Sequence, residues 1–481
     1  MLNNNNYYLK IHGHSCLEFR AKNTFIIFDP WLSGSAYWRS WWNFPEPTSI
    51  DKIIKDKLNC EDVYIYITHL HWDHFHGPTL RKLHKKIANL KFLISRVPEK
   101  RLKNDLFAVL NKNIDLIEID HGEELKINTE LSLKPFLSGP ILTDSAILIQ
   151  HKKDFILNIN DSKQQKLMAN QIISSIGKGN LKAMLRSHSS ANSRICIKNR
   201  DGSNKKNNDK SKEVYSREFL NAATFFKPKV AIPFASNMCY LHKDSFKYNS
   251  HSNTSDLLYK LSQSSEELKK INVQLVLPGE VLDLESLKVT INSHSRDQLF
   301  LEREEVLKKY RLKFLKELEK SEDLQEKIDF SEKIISKYFQ LIFSKIPLFV
   351  RFFLRGRIAF YEKSNKKNKN FFIVDLFKKK ILFNKGNIDN CHTIIYIKPG
   401  VLNSALFQKN LNSLGISKLL EIHTSSIQKY NLFFMACISS EIESIPTVSI
   451  KQFIRSLMIW SRRWREVFNY ILILLKIEKL I

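Results

Sequence analysis

Apolar positions in the first 160 residues fall in short β-branched and aromatic runs separated by turn residues, and only occasionally at helical spacing. Tyr8–Ile11, Cys16–Phe19 and Thr24–Phe28 read as strands, the last ending at the turn Asp29-Pro30. Val63–Thr68 is a continuous apolar run and reads as a buried strand. Pro78 then opens a helix, with Leu80, Leu83 and Ile87 spaced for one face. Lys91–Ser95, Ile114–Ile119, Leu131–Pro135, Ala146–Gln150 and Phe155–Ile159 continue the strands. Strand runs with interspersed helices predict a mixed α/β sandwich.

Further on, Lys198–Lys212 is polar, nearly free of apolar residues and reads as a flexible insertion. Lys229–Phe234 returns to strand character, Asp256–Ile271 is helical, and Val273–Leu277 is another strand. From about Asp297 to Gln340 the chain turns to Glu, Lys and Leu, the composition of solvated helices. Phe371–Phe377 and Thr393–Ile397 resemble strands and Val401–Asn410 a helix. The expected organisation is residues 1–300 as one domain, 301–344 as a helical linker and 345–481 as a smaller α+β domain.

Composition narrows the class. The chain has 481 residues, 43% hydrophobic and 26% charged, which excludes a disordered chain, a collagen-like fibre and a polytopic membrane protein. Its six cysteines form no CxxC pair, so neither a disulfide scaffold nor a cysteine-built metal site is expected. The start shows no secretory pattern, and the expected compartment is the cytoplasm. The net charge of +27 fits anionic partners or a Lys/Asn/Ile-biased genome equally. Near the C-terminus, Ile454–Trp464 and Val467–Ile477 read as a basic aromatic helix with an apolar end, suited to peripheral contact with the inner membrane face or to docking on the protein's own core.

The chemistry concentrates at Thr68-His69-Leu70-His71-Trp72-Asp73-His74, directly after the buried strand. Histidines two apart on an extended loop can converge on one ion, and Asp73 with His74 can serve a second. Imidazole suits zinc, iron and similar metals, and carboxylate completes such sites. One or two divalent transition-metal ions, zinc or iron, are therefore the expected cofactors. In a hydrolase Asp73 would orient the attacking water or accept its proton.

This is the HxHxDH motif of the metallo-β-lactamase superfamily, which the chain resembles over roughly residues 7–300. The resemblance implies an αββα sandwich and makes Asp161, at the end of the Phe155–Ser162 run, the metal-bridging aspartate. Within the superfamily the chain resembles the metallo-β-lactamase-like region of the CMP-N-acetylneuraminate hydroxylase family. The landmarks are His12-Gly13-His14-Ser15-Cys16-Leu17, Asp29-Pro30-Trp31-Leu32, His69–His74 followed by Pro78-Thr79-Leu80, Lys227-Pro228-Lys229, Pro233-Phe234-Ala235, and His242 in Leu241–Ser245. The resemblance implies a nucleotide-activated sugar as substrate and oxygen chemistry. It also implies that His242 is a late metal ligand, that His14 faces the pocket, and that Asp29 holds a ligand imidazole by its free N–H. The superfamily's further histidine upstream of the bridging aspartate is missing from Phe136-Leu137-Ser138-Gly139-Pro140, with His121 and His151 flanking. The paired Cys and His motifs of the hydroxylases' Rieske centre are also missing, so a monooxygenase would draw electrons from a separate electron-transfer protein.

The polar stretch Arg186–Arg194 supplies Arg186, His188 and Arg194 as candidate grips on a phosphate or carboxylate. Trp38, Trp41 and Trp42 could wall a pocket. The expected function is metal-dependent catalysis on a small anionic substrate. The alternatives are a phosphodiesterase or ester hydrolase at a membrane surface, a nuclease, and a scaffold with a degraded metal site. The chain has neither an inserted nuclease-type domain nor a recognisable RNA-binding module, so nucleic acid is not the expected partner.

Overall fold

The computed structural model describes residues 7–57, 60, 62–97, 100–111, 114–138, 144–189, 191–205, 212–346, 348–364, 370–442, 454, 457–458 and 461–474. Two sheets stack face to face. The first has eight strands in the order Val289–Thr290, Val281–Asp283, Tyr7–Ile11, Leu17–Ala21, Thr24–Phe28, Asp62–Ile67, Leu90–Ser95 and Asp115–Ile119. The second has six, in the order Val230–Pro233, Asn180–Arg186, Asp154–Asn160, Ser145–His151, Leu131–Leu137 and Leu125–Lys126.

Side-chain alternation along the strands creates the layers. Ile26, Phe28, Tyr64 and Tyr66 point into a core shared with Leu133, Ile147, Ile149, Ile156 and Leu185 of the facing sheet. Their neighbours Ile27, Val63, Ile65 and Ile67 point the other way, onto helices Ile50–Lys57, Gly77–Lys86 and Arg101–Val109. On the far side, Leu148, Leu157, Met184 and Ala231 pack on helices Lys166–Ile176 and Lys212–Phe226. The result is the αββα sandwich expected from the sequence. Helix Gly77–Lys86 carries Pro78 in its first turn, where a missing N–H costs nothing.

Parallel pairing decides where chemistry can gather. Thr24–Phe28 runs parallel to Asp62–Ile67, and Asp154–Asn160 runs parallel to Asn180–Arg186, itself parallel to Val230–Pro233. Five carboxyl ends therefore open at one edge of the sandwich and deliver Asp29, His69, Asp161, Ser187 and Phe234 there. Asp29 and Asn160 turn the chain out of their strands with φ of 45° each.

Two expectations are corrected. Val273–Leu277 is not a sheet strand: only Val273 bridges, to Ala231, and the Leu277 N–H goes to the Glu280 carboxylate at 2.9 Å. The Asp256–Ile271 helix breaks into Ser255–Ser262 and Glu266–Lys269, with Ser265 capping the second piece. The segment Lys198–Lys212 is anchored at both ends. Strand Ile197–Lys198 pairs with Ile422 and His423, and Lys212 opens a helix; residues 206–211 lie outside the described residues.

That pairing joins a third sheet, ordered Ile197–Lys198, Leu420–Thr424, Thr393–Ile397, Ile358–Glu362, Phe371–Asp375 and Lys380–Phe383. One face packs Phe360, Phe372, Ile395 and Ile422 onto Ile335, Phe339 and Ile342 of helix Glu332–Lys345 and onto Phe433. Trp31, Tyr37 and Trp41, which follow strand Thr24–Phe28 of the sandwich, join the same core.

Glu441, at the end of helix Ile427–Ile442, is buried where this core meets the Asn410–Asn412 turn. It accepts the Tyr338 hydroxyl at 2.8 Å and the Leu411 N–H at 3.0 Å. Burial raises its carboxyl from 4.5 to about 7, against the pull of those two donors. Between those pH values the folded chain keeps a proton that the unfolded chain has released. Stability should therefore fall as pH rises through that window, by about 3 kcal/mol in all, and level off above it. Glu441→Gln keeps both acceptor contacts and should flatten the profile; melting curves at pH 5 and 8 that still shift as in the wild type would contradict this.

Candidate metal centre

Strand Asp62–Ile67 hands its chain to the loop Thr68–His74, which folds back through His74 N–H and Phe75 N–H bonds to the His71 carbonyl. Within that loop His69 Nε2 stands 2.9 Å from His71 Nδ1. Asp161 Oδ2 lies 3.6 Å from His69 Nε2 and 3.6 Å from His74 Nε2. His74 Nε2 lies 3.5 Å from Asp73 Oδ2, and His14 Nε2 lies 3.1 Å from the same oxygen. Ligand atoms at about 2.0–2.2 Å around a tetrahedral ion are about 3.3–3.6 Å apart; the 3.5 and 3.6 Å spacings fit ions there, while the 2.9 and 3.1 Å contacts are hydrogen-bond distances. His14, Asp73 and His74 form one group, and His69, His74 and Asp161 another. The even placement of Asp161 between His69 and His74 suits a bridging carboxylate.

Partners behind the ligands orient them. Asp29 Oδ2 accepts from His74 Nδ1 at 2.8 Å, and its two oxygens also accept the Thr68 N–H and hydroxyl at 2.8 and 2.7 Å. Thr68 Oγ1, its proton committed to Asp29, accepts from His69 Nδ1 at 3.0 Å. Each bond leaves the Nε2 lone pair aimed at the cluster. Asp73 is pinned by His14, by the buried Tyr37 hydroxyl donating to Oδ1, and through its carbonyl by Ser15.

The electrostatics call for a cation. Burial disfavours charge on His74, yet Asp161, Asp73 and Asp29 outweigh it and hold the imidazole protonated up to about 10. Asp73, despite its burial, is held well below the usual carboxylate range by His74 and His14. His74 Nε2 and Asp161 Oδ1 are buried with no hydrogen-bond partner among the described residues. Buried carboxylates and orphaned imidazole nitrogens at ligand spacing are what a divalent ion would satisfy. The donor set therefore fits zinc or iron.

The cluster opens into a cavity of about 130 Å³, where His14, Asp73 and Asp161 meet Lys163, Ser187, Ser189, Ser236 and Ser252, with Trp41, Met238 and Tyr240 as an apolar wall. His188 is buried just behind it, and burial beside His14 and Arg303 lowers its imidazole to about 3.

Two groups of candidate residues are placed differently from expectation. His242 is not brought to the cluster. It is buried against Asp244 and Glu322, 3.8 and 3.9 Å away, where helix Leu315–Lys327 covers its loop. His14 stands instead where a further ligand is needed. The arginines do not line this cavity: Arg186 donates to the Glu218 carbonyl at 2.9 Å, and Arg194 begins a short 3-10 turn. Lys163 and the serines occupy that wall. Ser138 sits where the further histidine was sought, hydrogen-bonded to Ser162, while residues 139–143 lie outside the described residues. His121 and His151 face away, to Glu466 and Glu130. Tyr37, Lys163, Ser236, Ser252 and the more distant Asn412 were not anticipated. Only Lys163, two residues after Asp161, carried a signal in the sequence.

No family model matches the chain. It is 28% identical over 156 residues to a cytidine monophosphate-N-acetylneuraminic acid hydroxylase of Xenopus laevis, and 30% identical over 154 residues to that of Danio rerio. Each match covers 31% of this chain and 24% of the relative, so the chain spans about a quarter of the length of the curated relatives it matches. Among solved structures it is similar to a possible metal-dependent hydrolase from Veillonella parvula. That match has a TM-score of 0.40 and 11% identity, covering 57% of this chain and 99% of the other. The fold, established by the sheet order and layering above, is the metallo-β-lactamase sandwich.

Proposed function

We propose that this chain is a metalloenzyme holding two divalent transition-metal ions and acting on a small anionic substrate, with a nucleotide-activated sugar the class favoured by its relatives. The observation that carries the reading is the largely buried cluster of Asp73, half-buried Asp161, and His14, His69 and His74, with half-buried His71 beside His69, opening into a cavity lined by Lys163 and four serines. His69, His71 and Asp161 would hold one ion, and His14, Asp73 and His74 the other, with Asp161 shared. Bound there, such ions lower the pKa of a bound water towards about 7 and polarise the bond under attack.

The chain's own groups do the rest. Tyr37 on Oδ1 and Ser15 on the carbonyl hold Asp73 at a fixed angle, so its carboxylate keeps its orientation towards the cavity. Lys163 offers a cation, and the serines offer hydroxyls, to a carboxylate or phosphoryl group of the substrate. Trp41, Met238 and Tyr240 exclude water on the opposite side. A cavity of about 130 Å³ accepts one carboxylate, phosphoryl or acetamido group, so the reacting end of a nucleotide sugar enters while the remainder stays at the mouth. Histidine–carboxylate sites accept both zinc and iron. Zinc in purified protein supports hydrolysis; paired iron supports oxygenation, with electrons from a separate protein. The proposed compartment is the cytoplasm.

One observation favours a second reading, a hydrolase working at a membrane surface. Leu457, Met458, Trp464 and Phe468 are exposed beside Arg462 and Arg465, although no helix among the described residues is long and apolar enough to cross a membrane. The same segment also docks: Arg463 pairs with Glu466, which reaches His121, and Asn469 donates to Gln165 at 3.2 Å.

Titrating metal-loaded chain with CMP-sialic acid, a nucleotide–hexose, anionic phospholipid vesicles and a short RNA separates these readings. Saturable binding of a nucleotide sugar, weakened at least about tenfold by Lys163→Ala, is expected, since a charge-assisted bond is worth about 1.5–3 kcal/mol. Tight binding of vesicles or RNA, with no binding of either nucleotide sugar, would overturn the substrate class.

A further inference from the structure

The remote nitrogens of His69 and His74 end on Thr68 and Asp29, inside the sandwich. That of His71 does not. Its Nε2 lies 3.1 Å from Asn412 Nδ2, the NH2 end of an amide that starts the helix Asn412–Ser417 far along the chain. We propose that Asn412 is a positioning residue of the metal centre: after a half-turn from the orientation that presents Nδ2, its amide oxygen accepts the His71 Nε2–H and so leaves Nδ1 as the ligand atom. The inference rests on the metal-centre reading above and extends it to the C-terminal part of the chain.

A neutral imidazole carries one proton, so its two nitrogens cannot both donate lone pairs. His71 Nδ1 lies 2.9 Å from His69 Nε2, a hydrogen-bond distance that opens by about 0.4 Å when both nitrogens bind one tetrahedral ion. Ligation through Nδ1 requires the proton on Nε2, and Nε2–H requires an acceptor. Asn412 can present either end of its amide, since the NH2 and the oxygen are nearly the same size and exchange by a half-turn. With oxygen towards His71, all three imidazoles of the loop have an acceptor behind them. With NH2 towards His71, the proton moves to Nδ1 and blocks the ligand position.

The helix bearing Asn412 is fastened to the wall of the site. Trp41 Nε1 donates to the Ile416 carbonyl at 3.0 Å and Ser40 Oγ to the Ser417 carbonyl at 2.6 Å. The turn before it is held by Arg101, which donates to the Gln408 carbonyl at 2.8 Å, and by Glu441 on the Leu411 N–H. At Gly415 a Cβ would come within 2.8 Å of the Ser193 side chain, so the helix lies close against the loop that carries Ser187 and Ser189. Such a seat fixes the amide against a half-buried ring that would otherwise rotate.

The test uses the full chain with Asn412→Leu, Asn412→Ala and Asn412→Asp. Metal affinity is read by competition with a chelator, and the ligand field by cobalt(II) absorption. The His71 tautomer is read by ¹⁵N NMR of the zinc-loaded protein. Leucine and alanine should weaken one of the two sites by about 10–100-fold. They should also change the cobalt spectrum and erase the Nε2–H signal. Aspartate, a stronger acceptor of the same shape, should restore affinity to wild type or better. Alanine and aspartate keep the test open if the leucine variant does not fold. Wild-type affinity and an unchanged cobalt spectrum in the alanine variant would overturn the proposal while leaving the metal centre standing. A wild-type chain that binds no metal would overturn both.

Discussion

Replacing His69 and His71 together by alanine should remove at least one equivalent of metal per chain and bring turnover below detection. The two side chains supply nitrogens 2.9 Å apart, and His69 also faces Asp161 at 3.6 Å. Of the other imidazoles among the described residues only His74, 3.6 Å from Asp161, stands near that ion: His121 and His151 are turned to Glu466 and Glu130, and Ser138 stands at the remaining corner. Loss of both leaves that ion only Asp161 and a His74 already committed to its neighbour, too few to hold it in water. The metal-free fold should change little, because neither ring is a large part of a core. The signature is therefore specific. Wild type should gain melting temperature on metal addition, as any ligand binding only the folded state produces, and the double variant should lose most of that gain. Full metal content and a preserved thermal gain in the variant would show that the ions sit elsewhere.

Asp29→Ala should be the most destabilising change at the site. The carboxylate is fully buried and satisfies three donors: the Thr68 N–H, the Thr68 hydroxyl and His74 Nδ1. Removing it leaves a buried imidazole without its partner, at about 3–5 kcal/mol for a broken buried pair, and orphans a backbone N–H at about 1–3 kcal/mol more. Asp29→Asn is the informative companion. Its oxygen can still accept the Thr68 N–H, but its NH2 then faces His74 and drives the proton to Nε2, the ligand atom. Metal affinity should fall about 10–100-fold with a smaller loss of stability. Chelator competition and thermal melts on both variants check this; equal metal affinity in Asp29→Asn would remove Asp29 from the centre.

What the sequence revealed follows from range. Thr24–Phe28, Asp62–Ile67 and Asp154–Asn160 are buried on both faces, so they read as mostly apolar β-branched and aromatic runs, and the loops at their ends announced Asp29, His69–His74 and Asp161. Asn180–Arg186 (NLKAMLR) has no β-branched residue and passed unseen, although it is a central strand. His14 reaches Asp73 across 59 positions, through the register of the hairpin Tyr7–Ala21, which no local pattern encodes. His242 lies in a motif that matched a family landmark, but the helix Leu315–Lys327 claims it through Glu322. Tyr37 and Asn412 belong to no motif; only the packing of the third sheet against the sandwich brings Asn412 to His71.

The most direct measurement is anomalous diffraction at a metal absorption edge from crystals of the metal-loaded chain. Two peaks should appear, one within about 2.0–2.3 Å of ligand atoms on His69, His71 and Asp161, the other at that distance from His14, Asp73 and His74. No peak in the cluster, or a peak at His242 and Glu322 instead, would contradict the account.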